Sequence, residues 1–279
     1  MDDIAVTIVN YKMKEDTARC LDSLFADIAG SALRVRVVVL DNASGDNIAG
    51  YLAVHFPTVS CITLSKNIGF GAGQNVAMTA APAKYYFLVN PDIVFSSSAE
   101  ATEGKPEGHV LQRLFDWMEA HPKVGMAGPQ LLNRDGSLQY SCYRFPRFFA
   151  QPARRLGLHA RYRWAARDVD EFLMKDFDHT RTQPVDWIMG SAMFVRAASM
   201  THVGMFDDRF FMYFEDCDWC RRFWEAGWPV YYVHDIKLVH GHRRASAAIP
   251  GMKAVLLNPL TRIHIRSWLK YFWKWRHQK

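Results

Sequence analysis

The chain has 279 residues, 49% of them hydrophobic and 22% charged, with a formal net charge of +6. This is ordinary globular composition with enough chain for a large core, as one large domain or two small ones. The five cysteines (Cys20, Cys61, Cys142, Cys217 and Cys220) form no regular framework, which excludes a disulfide scaffold, and they read as reduced thiols of a cytosolic protein. Residues 1–4 lack the basic and apolar regions of a signal peptide, and no apolar run is long enough to span a bilayer. The basic excess alone fits nucleic acid, a membrane surface or a phosphorylated substrate equally well. Its location says more: after Asp235 the sequence contains no Asp or Glu.

Ile4 to Val9 is a β-rich run, followed by Asn10-Tyr11-Lys12 and a predicted helix over about residues 15–25. Val35 to Leu40 reads as a second buried strand that ends on a carboxylate, Asp41, before the turn Asn42-Ala43-Ser44-Gly45. A third strand, Cys61 to Leu64, leads into a glycine-rich stretch, residues 65–75, and residues 74–81 read as a helix stopped near Pro82. Then comes Tyr85 to Val89, aromatic and branched like a strand buried on both faces. Proline ends it at Asn90-Pro91-Asp92, leaving Asp92 at the carboxyl end of a central strand, where open α/β sheets bind ligands. The same three residues also make an ordinary turn. Alternating strands and helices predict an α/β fold with a single doubly wound, mostly parallel sheet.

Strands ending in carboxylates on either side of a glycine-rich turn suit a nucleotide, because glycine lets backbone approach closely and a helix N-terminus favours anionic oxygens. A dinucleotide-binding fingerprint fits less well: the spacing of Gly69, Gly71 and Gly73 lacks its later glycine and follows the third strand, not the first.

Residues 96–108 read as a mobile surface loop. Residues 110–120 read as a helix, 124–132 as a strand and Asn133-Arg134-Asp135-Gly136 as a hairpin turn. Residues 140–184 carry many arginines among aromatics, either a solvated basic face or a surface for anionic headgroups. Residues 186–195 read as a loop entering a strand. Within residues 204–222, three acids, Glu215, Asp216 and Asp218, lie within four residues beside an aromatic wall. Such neighbours raise a carboxylate toward the range of a useful base, while acids also suit the first turn of a helix. Cys217 and Cys220 form a C-x-x-C with no second pair, so a zinc or redox role is not expected. Val230 to Val233 is a short predicted strand, and His240-Gly241-His242 offers a metal ligand or an ordinary surface loop. From Asn258, a cap followed by Pro259, a helix is expected with Ile265, Trp268, Leu269, Phe272 and Trp275 on one face and Arg262, Arg266, Lys270 and Lys274 beside it. That pattern suits a helix lying in a membrane interface.

These residues together resemble the family 2 inverting glycosyltransferases of GT-A fold, most nearly the bacterial rhamnosyltransferases of cell-surface polysaccharide assembly. The resemblance spans about residues 4–245 and rests on Val6 to Tyr11, Val38 to Ser44, Asn67 to Asn75, Asn90-Pro91-Asp92 in place of an Asp-x-Asp, and Glu215-Asp216. It implies a nucleotide site at Val9, Asn10, Tyr11, Asp41, Asn67, Gly69, Phe70, Gly73, Asn75 and Asn90. It further implies Mg²⁺ or Mn²⁺ on Asp92 and His240, Asp216 as base, and Trp187, Gly190, Glu215 and Arg222 on the acceptor side. Asn90 departs from the family pattern, since it can accept a hydrogen bond but adds no negative charge. The expected organisation is a glycosyltransferase domain over residues 1–250, with a nucleotide half (1–95) and an acceptor half (110–250). A basic amphipathic helix follows at 251–279. The implied partners are dTDP-L-rhamnose, a polyprenyl-diphosphate-linked saccharide and the inner face of the cell membrane, with no nucleic acid. The rivals are another donor sugar, hexosyl or galactofuranosyl, and a non-catalytic membrane-bound assembly partner.

Overall fold

A computed structural model describes residues 1–95, 109–155, 157–241 and 258–277. The loop expected at 96–108, His242 and the domain boundary expected at residue 250 lie outside the described residues. The parallel part of the sheet holds β1 (Asp2–Asn10), β2 (Val35–Asp41), β3 (Ser60–Thr63) and β4 (Ala83–Val89). The second part holds β5 (Ile93–Val94), β6 (Met126–Leu132), β11 (Ala192–Arg196) and β12 (Val230–His240). The spatial order is β3-β2-β1-β4-β11-β6-β12-β5. β11 runs antiparallel to both β4 and β6, so the predicted mostly parallel sheet carries one reversed strand at its centre. Short strands complete it: β7 (Leu138–Gln139) pairs with β6 through the predicted hairpin turn, and β9 (Gln183–Pro184) pairs with β12. β8 (Cys142–Tyr143) and β10 (Trp187–Ile188) form a separate small ladder.

Strand periodicity sorts the core into two layers. Ile4, Val6 and Ile8 of β1 point into a cluster with α1 (Lys14–Ile28), α2 (Ile48–His55) and α4 (Val110–Ala120). Ala5 and Val9 point the other way, into a cluster with α3 (Phe70–Ala80), α7 (Ala197–Val203) and α8 (Glu215–Glu225). Thr7, on the second face, donates its hydroxyl to the buried Gln74 carbonyl of α3 at 2.6 Å.

Three elements differ from expectation. Helix α3 starts at Phe70, so Gly71 and Gly73 lie in its first turn. There the missing side chains let the helix pack tightly: a Cβ on Gly73 would sit 3.3 Å from Val9, and one on Gly71 3.0 Å from Phe206. Strand β12 continues past Val233, through a register shift before Lys237, to His240. His234 and Asp235 interrupt the apolar run and hide the strand's second half from a sequence reading. The arginine-rich region folds as α5 (Ala150–Arg155) and α6 (Arg163–Phe172), where Arg147 pairs with Asp168 and Glu171.

The C-terminal helix, α9 (Pro259–Lys274), begins as predicted, with the Asn258 side chain accepting from the Leu260 N–H at 2.9 Å. It docks on the domain along a face that overlaps the predicted one: Trp268, Phe272 and Trp275 pack against the core, and the stripe is rotated to bring in Tyr271 and Ser267. Thr261, Ser267, Tyr271 and Trp275 are buried, at helical spacing, while Leu269 faces out. Ser267 donates to the Met212 carbonyl at 2.8 Å, and Lys274 forms ion pairs with Asp207 and Asp218 at 2.8 and 2.7 Å. The Trp275 indole donates to Asp218 at 3.0 Å. Buried acids from α8 and its preceding loop thus attract the helix and select the inward face.

Candidate active site

The predicted site residues converge on one edge of the sheet. Asn10 lies opposite Asp41, and Ile8 opposite Val89, so Asn10, Asp41 and Asn90-Pro91-Asp92 leave adjacent parallel strands side by side. This is the carboxyl edge at which open α/β sheets bind ligands. β11, running the other way, starts there, and the Asn90 N–H donates to the Ser191 carbonyl at 2.9 Å. β12 ends there, with His240 opposite Ile93.

Asp216 lies in the first turn of α8, reached through a strained corner. Tyr213 and Phe214 both have left-handed backbone, with φ of 69° and 66°. Such conformations cost about 1–3 kcal/mol each outside glycine and persist only where packing enforces them. Here α9 enforces them: His264 stacks on Tyr213 at 4.6 Å, and Tyr271 packs on the buried Phe214 at 5.3 Å. The corner aims Asp216 back at β10 and β11. One carboxylate oxygen accepts from the Gly190 N–H and the other from the Cys217 N–H, each at 2.8 Å. Gly190 leaves room for this approach, since a Cβ there would sit 3.3 Å from Asp216 Oδ2 and 3.3 Å from the Phe70 ring. Burial pushes the Asp216 carboxyl above its ordinary range, while these backbone donors hold the rise back. Among the described residues, the Ser191 hydroxyl and one Glu215 oxygen are buried without a hydrogen-bond partner, and the Trp187 indole N–H faces Asp216 and helps hold its carboxyl down.

Glu215 is buried too, and burial first, then the Asp216 charge, pushes its carboxyl well above the usual 4.5. A carboxyl raised by folding contributes its stability below the unfolded value and loses it as pH climbs toward the folded one. Glu215→Gln removes that loss. Melting temperatures measured from pH 4 to 8 should move in the variant's favour, relative to wild type, as pH rises. A difference independent of pH would show that Glu215 ionises freely in the fold.

At the other end of the edge, His240 Nε2 lies 3.2 Å from Asp92 Oδ1, and both side chains are largely buried. The opposite ring nitrogen meets Gln139 Oε1 at 2.6 Å. Gln139 points its amide nitrogen at Asn133 Oδ1, at 2.9 Å, so its oxygen is the atom left for the ring. His240 Nδ1 therefore carries a proton, and Nε2 presents its lone pair to a carboxylate. Two electron-rich atoms facing one another call for positive charge between them, an imidazolium proton or a cation. Among the described residues no group of three or more His, Cys, Asp or Glu forms a complete metal cage. The Arg134 guanidinium lies over Gly241, 2.8 Å from where a Cβ would be, beside Asp92.

The expected nucleotide residues split into those that face the edge and those that build it. Tyr11 is 43% exposed beyond the end of β1. The Asn10 amide is spent on Ser44, Asp46 and Thr17, and Asp41 accepts from the Ser44 N–H at 3.0 Å. Asn67 accepts from the Gly69 N–H at 2.9 Å. Gly69 has φ of 93°, and a Cβ on it would meet the Phe211 carbonyl at 2.2 Å, so no other residue fits. Val9 packs under Gly73, and Asn75 spends both ends of its amide on the Phe206 backbone. Arg222, expected at the acceptor, instead braces α8, donating to Asp218, Val203 and Met205. Two contributors escaped the sequence reading. Asn42 donates to the Gly69 carbonyl at 3.0 Å and accepts from the Ile68 N–H at 2.9 Å, pinning the loop; its place after a strand-ending Asp was the available signal. Gln139 gave none, since it is 101 residues from the histidine it orients.

A sheet whose parallel half ends in a nucleotide-type edge, with an acidic strand end and a helix-borne carboxylate meeting there, defines a GT-A-fold transferase. The chain belongs to the glycosyltransferase-like family 2, whose sequence profile matches residues 2–250. It is 25% identical, over 98% of its length and 87% of the relative's, to an N-acetylglucosaminyl-diphospho-decaprenol L-rhamnosyltransferase of Mycobacterium tuberculosis. A dTDP-rhamnosyl transferase of Shigella flexneri is 23% identical over 82% of this chain and 67% of its own length. Among solved structures, the GalNAc-T7 complex with UDP, GalNAc and Mn²⁺ matches with a TM-score of 0.60 at 10% identity, over 92% of this chain and 47% of that one.

Proposed function

We propose that the protein moves L-rhamnose from dTDP-L-rhamnose, with inversion, to a hydroxyl of a polyprenyl-diphosphate-linked saccharide. The observation that carries this is Asp216, buried and tied to Gly190 at the edge where Asp92 also stands. The two are linked through Ser191, which follows Gly190 and accepts from Asn90. Asp216 takes the proton of the acceptor hydroxyl as its oxygen attacks the anomeric carbon from the face opposite the diphosphate. Gly190 and Cys217 hold the carboxylate still, while Tyr11, Asp41 and the Asn42-pinned loop form the nucleotide wall. The sugar and the lipid-linked acceptor are supported by the names of the bacterial relatives.

Asp92 and His240 suit Mg²⁺ or Mn²⁺, a hard cation taking carboxylate oxygen and a neutral imidazole whose lone pair Gln139 directs inward. Such an ion offsets charge on the departing diphosphate. Asn90 contributes no charge to that site. Gln139→Leu should lower Mn²⁺ affinity by about 10–100-fold, the usual effect of removing a group that orients a ligand. Calorimetric titration of Mn²⁺ in the presence of dTDP reads this directly, and unchanged affinity would remove His240 from the ion.

The outward side of α9 supports attachment to the inner face of the cell membrane. Leu269 and Trp273 are 51% and 70% exposed there, among Arg262, Arg266 and Lys270. No helix among the described residues is long and apolar enough to cross a membrane. The whole reading is tested by incubating pure protein with dTDP-L-rhamnose, Mn²⁺ and a prenyl-diphosphate-linked N-acetylglucosamine. Rhamnosylated product is expected. Transfer only from other nucleotide sugars would reassign the donor, and no transfer from any would sink the enzyme assignment.

A further inference from the structure

We infer that the cavity between Phe211 and α9 is the subsite for the diphosphate of the lipid-linked acceptor, an inference that rests on the lipid-linked acceptor proposed above. The cavity has a volume of about 340 Å³ and is lined by Phe211, Ile263, Arg266, Ser267 and Lys270. That is the small end of the roughly 300–1,000 Å³ range of ligand pockets. Its chemistry is mixed in a particular way. Arg266 and Lys270 stand one helical turn apart, about 6 Å along the axis, on the same side of the helix, so their long side chains can converge on one diphosphate. Phe211 and Ile263 offer the apolar wall that a prenyl chain leaving the diphosphate needs.

Among the described residues neither cation is neutralised by a carboxylate. No Asp or Glu follows Asp235 in the sequence, and among the described residues no carboxylate pairs with Arg266 or Lys270. The contrast is Lys274, one turn further on, which is held by Asp207 and Asp218. Lys270 donates to the Arg209 carbonyl at 2.5 Å, which orients its ammonium without cancelling its charge.

The cavity is also in the right place. Ser267 is bonded to Met212, and the Phe211 carbonyl accepts from the Phe70 N–H at 2.9 Å. The Phe70 ring packs at Gly190, the residue that holds Asp216. Phe211, Phe70 and Gly190 therefore connect the cavity to the base in an unbroken series of contacts. The donor's own diphosphate belongs with Asp92 and His240, so this cationic site serves a second one. Leu269 and Trp273 continue the same helix outward, toward where the lipid would run.

Farnesyl diphosphate is a suitable probe, titrated calorimetrically into the full chain with dTDP and Mn²⁺ present. The wild type should bind it, inorganic diphosphate should compete, and Arg266→Gln and Lys270→Gln should each weaken binding by about tenfold or more, the loss of one charge-assisted hydrogen bond. Arg266 is exposed, so its variant should keep the wild-type melting temperature and dTDP–Mn²⁺ affinity. No binding to the wild type, or variants that bind as tightly as the wild type, would overturn the subsite. So would variants that lose only their affinity for phosphatidylglycerol vesicles, since the cations would then serve headgroups. A wild type that fails to bind dTDP–Mn²⁺ counts against the donor proposal instead, and is read in its own titration.

Discussion

Asp216→Asn is expected to lower kcat by about 10²–10⁴-fold, the usual contribution of a positioned general base, while leaving dTDP–Mn²⁺ affinity within a factor of two or so. The substitution is nearly isosteric, and an amide oxygen can keep the Gly190 N–H bond. What it removes is the ability to accept the acceptor's proton. The carboxylate is buried, and burial lifts it above its ordinary range, yet two backbone donors keep it from being lifted freely. Activity should therefore fall on the acid side as Asp216 takes up a proton, and the variant should lose that limb of its pH–rate profile. Near-normal turnover in Asp216→Asn would hand the role of base to another group.

Stopping the chain at Asn258 should leave a protein that does not fold cooperatively. A detachable membrane anchor would behave differently, releasing a soluble, folded domain. The difference lies in what α9 covers. Tyr271 is fully buried, and Asp218, itself fully buried, is shared by Arg222, Lys274 and the Trp275 indole. Removing one side of a buried charge pair costs about 3–5 kcal/mol, and deleting a buried aromatic about as much. Together these approach the whole stability of a typical domain, about 5–15 kcal/mol. Thermal unfolding followed by near-ultraviolet circular dichroism would decide it: a sharp transition in the truncated chain would make α9 an appendage.

The first half of the sheet was legible in the sequence because its strands are short apolar runs with carboxylates at or just beyond their ends. Val35–Asp41 and Ala83–Val89 announce both their burial and their ends. The Glu215-Asp216 helix start was legible for a similar reason, as acids cluster where a helix begins. The reversal of β11 was not, since nothing local in Ala192–Arg196 records the direction of its neighbours. Helix α2 went unread, and the start of α3 was misplaced because glycines look like loop until close packing against Val9 and Phe206 makes them an advantage. The face of α9 was legible in part: Trp268, Phe272 and Trp275 do pack inward, while buried Ser267 and Tyr271 and exposed Leu269 show the stripe rotated. The true choice was made by Asp207 and Asp218, more than forty residues upstream. The His240–Gln139 pairing follows the same pattern: chemistry fixed by long-range register leaves little trace in local sequence.

The left-handed pair at Tyr213 and Phe214 leans on His264 and Tyr271, more than fifty residues downstream. A growing chain on the ribosome therefore exposes every strand of the sheet well before anything can hold that corner in shape. The bend can thus be fixed only late in synthesis, once α9 has emerged and closed over it.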